Sequence, residues 1–302
     1  MLLQESSSSV PRKRPAPVGA AFGLRLGLLI CLLSMLPSAG CQSPSEDPAG
    51  GTVEETVKLV VTGSSTVAPL VSDLAKAFEK KHDDARVDVQ TGGSSRGMSD
   101  ARRGLADIGM VSRSPKEGED DLRWHPIAND GLAIIVHADN PVGALSSEQV
   151  EKIYRGDIES WQGVGGNDAP ITVVNKAEGR STLEIFLGHF GFESADIEAD
   201  VVIGDNQQGI KTVSGNPDAI AYVSIGTAEF ETSEGTPIKL LTLDGVVPST
   251  AAVRDGTYPI SRTLHLVTAD EPEGWVATFV DYCRSTEAHP LVEGQYFVPL
   301  GG

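Results

Sequence analysis

Three times in this chain a short β-branched run passes into Gly, Ser and Thr and then opens a helical pattern. The first is Val60-Val61-Thr62-Gly63-Ser64-Ser65-Thr66-Val67-Ala68-Pro69. The second is Val87-Asp88-Val89-Gln90-Thr91-Gly92-Gly93-Ser94-Ser95-Arg96-Gly97. The third is Ile171-Thr172-Val173-Val174-Asn175-Lys176-Ala177-Glu178-Gly179-Arg180-Ser181-Thr182. A helix N-terminus carries unpaired backbone N–H groups and the positive end of the helix dipole. Ser and Thr add hydroxyl donors, and Gly lets a ligand approach the backbone closely. Several such termini, converging, would hold a small oxyanion without any large positive charge.

The elements that must position these runs alternate between strand and helix signals, which predicts α/β layers. The pattern predicts strands over 57–61, 86–90, 107–111 and 130–137. It predicts helices over 66–81 and 95–103, the first with Val67, Leu70, Val71, Leu74 and Phe78 at helical spacing and Pro69 in its first turn. A second series follows. Ser146 with Gln149 fits a capping box opening a helix to about 155. A strand over 171–174, a helix over 182–190, a short helix over 209–214 and a strand over 219–223 come next. Strands over 238–243 and 263–267 and a helix over 275–284 close the chain.

Length and charge bound the function. The chain has 302 residues, enough for one large or two ordinary domains. Arg12-Lys13-Arg14 precede an apolar run over 26–36 that ends in Pro37-Ser38-Ala39-Gly40-Cys41. That run is short for a membrane span, which needs about 20 residues. A basic start, an apolar stretch and small residues describe an export signal over 1–40. The small residues before Cys41 resemble a bacterial lipobox, although Ser38 stands where Leu is usual. Cys41 would then carry the lipid, a palmitate-bearing membrane anchor, and residues 41–55, rich in Ser, Pro, Gly and acid, would form a flexible tether.

Removing 1–40 takes away Arg12, Lys13, Arg14 and Arg25 against Glu5 and moves the net charge from −18 to −21. So acidic a chain is not built for nucleic acid, which needs basic patches. Attraction of an anion would have to be local. Cys283 would be left as the lone cysteine, a small core residue beside Phe279 and Val280.

Seven runs together resemble one family, the phosphate-binding proteins of bacterial ABC-type phosphate importers, within the type II periplasmic binding proteins. They are Gly63-Ser64-Ser65-Thr66-Val67-Ala68-Pro69, Gly92-Gly93-Ser94-Ser95-Arg96-Gly97 and Asp107-Ile108-Gly109-Met110-Val111-Ser112-Arg113. Ile153-Tyr154-Arg155-Gly156-Asp157-Ile158 with Trp161, then Glu178-Gly179-Arg180-Ser181-Thr182, follow in the family's order. Ala219-Ile220-Ala221-Tyr222-Val223-Ser224, and Tyr258-Pro259 with Arg262, complete the set.

The resemblance implies a two-lobed α/β fold with two crossover strands and a ligand in the cleft between lobes. Lobe one would be 56–136 plus 226–302 and lobe two 137–225. It implies a monomeric, non-enzymatic binding protein without cofactor, exported and anchored to face the periplasm or cell exterior. That protein would capture inorganic phosphate and deliver it to a membrane permease. Carried over residue by residue, the ligand groups would be Ser65, Thr66, Ser94, Ser95, Ser112, Arg113, Arg180, Ser181 and Thr182. Better-known members carry an Asp where this chain has Arg113, and Arg-x-x-Gly-Ser-Gly-Thr where it has Lys176-Ala177-Glu178-Gly179-Arg180-Ser181-Thr182. The lost acceptor leaves room for another tetrahedral oxyanion such as sulfate. A phosphate sensor or scavenger would share the same site.

Other readings of the same residues compete. Gly93-Ser94-Ser95-Arg96-Gly97 has the Gly-x-Ser-x-Gly form of a hydrolase elbow, which would make Ser95 a nucleophile. No Gly-Lys-Ser/Thr follows any glycine run, which excludes a P-loop, and six scattered histidines give no metal-ligand spacing. Ser181 with Glu184 has capping-box spacing. Lys176, which the carry-over also brings to the ligand, reads as structural; Asn206-Gln207-Gln208-Gly209 reads as a simple turn, with a further helix start at the cleft as the alternative, and Glu119-Asp120-Asp121 as a solvated acidic turn.

Overall fold

In the computed structural model of the chain, residues 56–301 are described; the expected export signal, Cys41 and the tether over 41–55 lie outside them. The chain begins with β1 (Val57–Gly63), α1 (Ala68–Glu79), β2 (Ala85–Thr91), α2 (Ser94–Arg102) and β3 (Ile108–Val111), then the long β4 (Arg123–His137). Next come β5 (Ala144–Leu145), α3 (Ser147–Tyr154), β6 (Thr172–Lys176), α4 (Ser181–Phe190), β7 (Val201–Ile203), α5 (Asn206–Gly215) and β8 (Ala219–Ser224). The remainder is α6 (Ile225–Ser233), β9 (Ile238–Leu240), β10 (Thr242–Leu243), α7 (Thr250–Arg254), β11 (Ser261–Thr268), α8 (Gly274–Arg284), α9 (His289–Gly294) and β12 (Val298–Pro299). The expected α/β alternation is present throughout.

β4 organises the sheet, whose order is β2-β1-β3-β11-β4-β8-β6-β7. Its first part, Arg123 to Gly131, pairs antiparallel with β11. Its second part, from Leu132 to Val136, pairs antiparallel with β8, and Ile135 to His137 also pair with β9. Sequence reasoning found only 130–137 of this strand, because Pro126 interrupts the pattern. The structure admits Pro126 at a bulge, where the register with β11 shifts between Leu264 and His265. A bulge is where a strand tolerates a residue with no N–H.

Two large cores lie on either side of this hand-over. One gathers Leu59, Val61, Leu70, Leu74, Phe78, Ile108, Met110, Leu264 and Phe279. The other gathers Ile134, Val150, Tyr154, Trp161, Phe186 and Tyr222, with Phe186 stacked on Tyr222 at 4.0 Å between centroids. Each buried aromatic or aliphatic side chain of this kind stabilises the fold by roughly 1.5–3 kcal/mol. Leu241, Leu243, Val253, Tyr258 and Ile260 belong to this second core. The segment 226–302, expected wholly in lobe one, is therefore divided between the two cores. Cys283 is buried in the first core, as its apolar neighbours suggested, and burial pushes its thiol pKa up.

Local signals explain how the site-bearing helices are aimed. α1 buries Leu70, Val71, Leu74 and Phe78 and starts at Ala68 with Pro69 in its first turn. α3 forms the expected box: Gln149 N–H donates to Ser146 Oγ at 3.1 Å, and Ser146 N–H to Gln149 Oε1 at 2.9 Å. α2 sits hard against β1 and β3 through Gly97. A Cβ there would lie 2.7 Å from Thr62 O and 2.9 Å from Gly63 Cα. Both neighbours are backbone and cannot swing aside. Gly97→Ala is expected to destabilise the protein by about 1–3 kcal/mol, read by chemical denaturation, because overpacking forces backbone shifts.

Candidate functional site

The site is built around Arg262 on β11 and Asp130 on β4, which are direct partners across the two strands. Their side chains are 2% and 1% exposed. Arg262 Nε and Nη2 donate to Asp130 Oδ2 at 3.0 and 2.8 Å. The other carboxylate oxygen accepts the Gly226 N–H at 3.2 Å, near the start of α6. Two charges leave water here, and only close geometry with added hydrogen bonds compensates that cost. The rest of the guanidinium points away from the carboxylate. Nη1 donates to Thr182 Oγ1 at 3.0 Å and reaches Ser112 O at 3.4 Å, while Nη2 reaches Thr66 Oγ1 at 3.4 Å.

One fork thus touches the loop before α1, the end of β3 and the first turn of α4. Further bonds complete the ring. Ser64 Oγ donates to Ser112 Oγ at 2.9 Å, and Ser112 N–H donates to Ser94 Oγ at 3.3 Å. Ser95 N–H donates to Gly179 O at 3.2 Å, joining the N-terminus of α2 to the loop before α4. Gly93, with φ of 93°, lies under Arg180: a Cβ there would be 2.9 Å from Arg180 Cδ and from Gly179 O. The three Gly/Ser/Thr helix starts expected to converge do so.

Of the expected ligand residues, Thr66, Ser94, Ser112, Ser181 and Thr182 are buried in this ring. Ser65 is half-buried beside it and Ser95 is exposed at its edge. Arg180 is half-buried, and among the described residues it has no ion pair. Ser181 is the first residue of α4, not its cap, and its hydroxyl is buried with no hydrogen-bond partner. The capping box expected of Ser181 and Glu184 does not form, because Glu184 is held elsewhere. A buried hydroxyl left unpaired is costly.

Arg113 does not join the ring. Its fork lies on Glu119, with Nη1 and Nη2 each 2.7 Å from a carboxylate oxygen, and its Nε is 2.9 Å from Glu184 Oε2. Burial works against its charge, but Glu119 and Glu184 outweigh that, and its pKa stands above the ordinary value. Glu119 is correspondingly held below the usual carboxylate range by its bond to Arg113. The Glu119 end of the acidic turn is therefore an ion-pair partner, not a solvated residue. Lys116 also reaches Glu184, at 2.5 Å. Arg113 and Lys116, from the β3–β4 loop, together clasp α4.

Sequence reasoning left Arg262 without a role, missed Asp130, and set Asn206 aside as a turn over a further helix start at the cleft. Asp130 had a signal: it is the acid that opens a run of otherwise apolar strand residues. Asn206 is not in a simple turn but begins α5, and its Nδ2 donates to Thr66 Oγ1 at 3.1 Å. The Ser95 hydroxyl makes no bond to a histidine among the described residues. The buried His125 and His265 bond instead to Thr268 and to the Thr263 carbonyl. Removing the Asp130 charge would leave Arg262 buried and uncompensated. Asp130→Asn is expected to lower stability by about 3–5 kcal/mol, checked by denaturant titration.

A ring of helix starts closed by one buried fork, between two α/β halves that share a strand, is the architecture of a two-lobed binding protein. A family model described as a PBP superfamily domain matches residues 43–287, and the chain belongs to that superfamily and, within it, to the bacterial phosphate-binding proteins. The phosphate-binding protein PstS of Bacillus subtilis (strain 168) is 30% identical over 284 residues, 90% of this chain and 93% of that relative. PstS of Borreliella burgdorferi is 26% identical over 261 residues, 82% of this chain and 92% of the relative. Among solved structures, a phosphate ABC transporter substrate-binding protein from Clostridium perfringens with bound phosphate superposes with a TM-score of 0.76. It is 30% identical, covering 81% of this chain and all 100% of the other. An ABC-type phosphate transport receptor from Vibrio cholerae gives 0.65 at 30% identity, covering 80% and 99%.

Proposed function

We propose that this protein captures inorganic phosphate in the cleft between its lobes and delivers it to an ABC-type permease. The observation that carries this reading is the Arg262 fork, which gathers Thr66, Ser112 and Thr182, with the buried, unpaired Ser181 hydroxyl next in sequence to Thr182. Phosphate oxygens would be held by the N-terminal N–H groups of α1, α2 and α4, by Ser65, Thr66, Ser94, Ser95, Ser112, Ser181 and Thr182, and by Arg180 and Arg262. Thr66 and Thr182 already accept bonds through oxygen from Asn206 and Arg262, so their own protons are free to point at a ligand. Binding is reversible lobe closure with no covalent chemistry. Arg113 acts at one remove, with Lys116, by holding α4 through Glu184. The protein works as a monomer, with lobe one near 56–136 plus the later part of 226–302 and lobe two around 137–225 plus the earlier part of 226–302. Cys41 would carry a lipid that tethers it outside the cytoplasm, beside the permease.

Asp130 is engaged by Arg262 and the Gly226 N–H, which favours donors over acceptors in the ring and keeps sulfate as the competing ligand. Calorimetric titration of the protein with phosphate and then sulfate decides between them. Phosphate binding with sulfate ignored supports phosphate capture. Equal binding of both, or sulfate alone, makes this a general or sulfate-specific oxyanion protein.

Arg180→Ala and Thr182→Ala are each expected to weaken phosphate affinity about tenfold or more, since hydrogen bonds involving a charged group are worth about 1.5–3 kcal/mol. Unchanged affinity in both would remove α4 from the site. Glu184→Gln, which frees α4 from Arg113 and Lys116, is expected to weaken phosphate binding severalfold by depopulating the closed state.

A further inference from the structure

Lys176 at the end of β6 is buried, 3% exposed, directly behind the ring. Its Nζ donates to Asp205 O at 2.7 Å and to Asn206 Oδ1 at 3.1 Å. Both acceptors are neutral. The nearby Asp205 carboxylate is spent on capping α5, accepting the Gln208 N–H at 2.8 Å. A neutral amine has two N–H bonds, and these two acceptors satisfy it. An ammonium has a third, for which the described residues supply no acceptor. The amide that Lys176 holds is the one whose Nδ2 donates to Thr66 Oγ1 and, at 3.5 Å, to Thr227 Oγ1. Lys176 is thus one side chain removed from the ligand ring.

Resting on the reading that phosphate enters this ring, we propose that Lys176 is its proton-linked positioning residue. Its amine takes up one proton from solvent as the anion binds, and Asn206 transmits its position to Thr66. The charged groups around it agree with this. Arg262 on β11 and Arg180 before α4 both disfavour a third positive charge, and Asp205 at the start of α5 opposes them. Burial is the largest influence and brings the Lys176 pKa down to about 7. Tyr222 on β8, whose hydroxyl accepts the backbone N–H of Lys176 at 3.2 Å, is itself held protonated by burial and adds no charge. A phosphate dianion entering between Arg262 and Arg180, one side chain from Lys176, reverses the balance and favours the ammonium.

The sign follows from linkage. A group whose pKa rises on binding takes up protons, so affinity is greatest at low pH and falls as pH rises above the free pKa. Above pH 8 phosphate is mostly dianion; a site that selected the residual monoanion would show the same uptake and fall, and the Lys176→Arg variant separates that case from titration of the amine. The full-length protein is titrated with inorganic phosphate from pH 8 to 9.5, in buffers of different ionisation enthalpy. Wild type is expected to take up close to one proton at pH 8, and its affinity to fall about tenfold per pH unit. Lys176→Arg, which keeps a fixed charge, should lose both the uptake and the fall while holding high affinity at pH 9.5. Lys176→Met should lose both with weak binding throughout. Thermal midpoints confirm that each variant is folded. Binding without proton uptake in wild type, or an affinity in Lys176→Arg that falls in parallel, overturns the proposal and leaves phosphate capture standing. No heat in any protein at any pH overturns both.

Discussion

Everything at the centre of this molecule depends on a guanidinium that is out of water and must be kept neutralised on one side only. Asp130 does this from the adjacent strand, and the Gly226 N–H holds the carboxylate in turn. Cross-strand register makes the pairing intrinsic to the β4–β11 ladder, so no loop has to find it. The opposite edge of Arg262 is then free to reach Thr66, Ser112 and Thr182, each from a different element. In a chain of net charge −18, a site for an anion has to be local. A neutral ion pair presenting N–H groups, among helix N-termini, provides that without a basic surface.

The cations near the site differ in what neutralises them, and that sorts their roles. Arg113 is covered by Glu119 and Glu184 and ties two parts of the chain together. Arg262 is half covered by Asp130. Arg180 has no ion pair among the described residues, and Lys176 has only neutral acceptors. Residue type alone would have ranked Arg113 with Arg180. The carboxylates that reach them separate the two.

Much of the fold was readable because its elements have strong local signals. The box at Ser146 and Gln149, the apolar stripe of α1 and the Gly-Ser turns before α1, α2 and α4 all act through neighbours in sequence. The first half of β4 was not readable, since Pro126 is acceptable only at a bulge set by β11, far along the chain. The short helices α6, α7 and α9 also went unread. At the site, Thr66, Ser94, Ser181 and Thr182 were legible as helix-start residues, while Ser112, which follows β3, was suggested by the family resemblance alone. Arg262 and Asp130 meet across 132 positions, and Arg113 meets Glu184 only after α4 is packed. Such pairings are properties of the tertiary fold, and no local pattern announces them.

β4 is a single strand of 15 residues that serves both cores in succession. It gives Ile127 and Ala128 to one and Leu132, Ala133 and Ile134 to the other. Unravelling either half strips β11 or β8 from this shared strand and exposes the edge on which the other half is built. The two halves are therefore coupled in their melting, and the described part of the chain behaves as one cooperative unit even though it holds separate hydrophobic interiors.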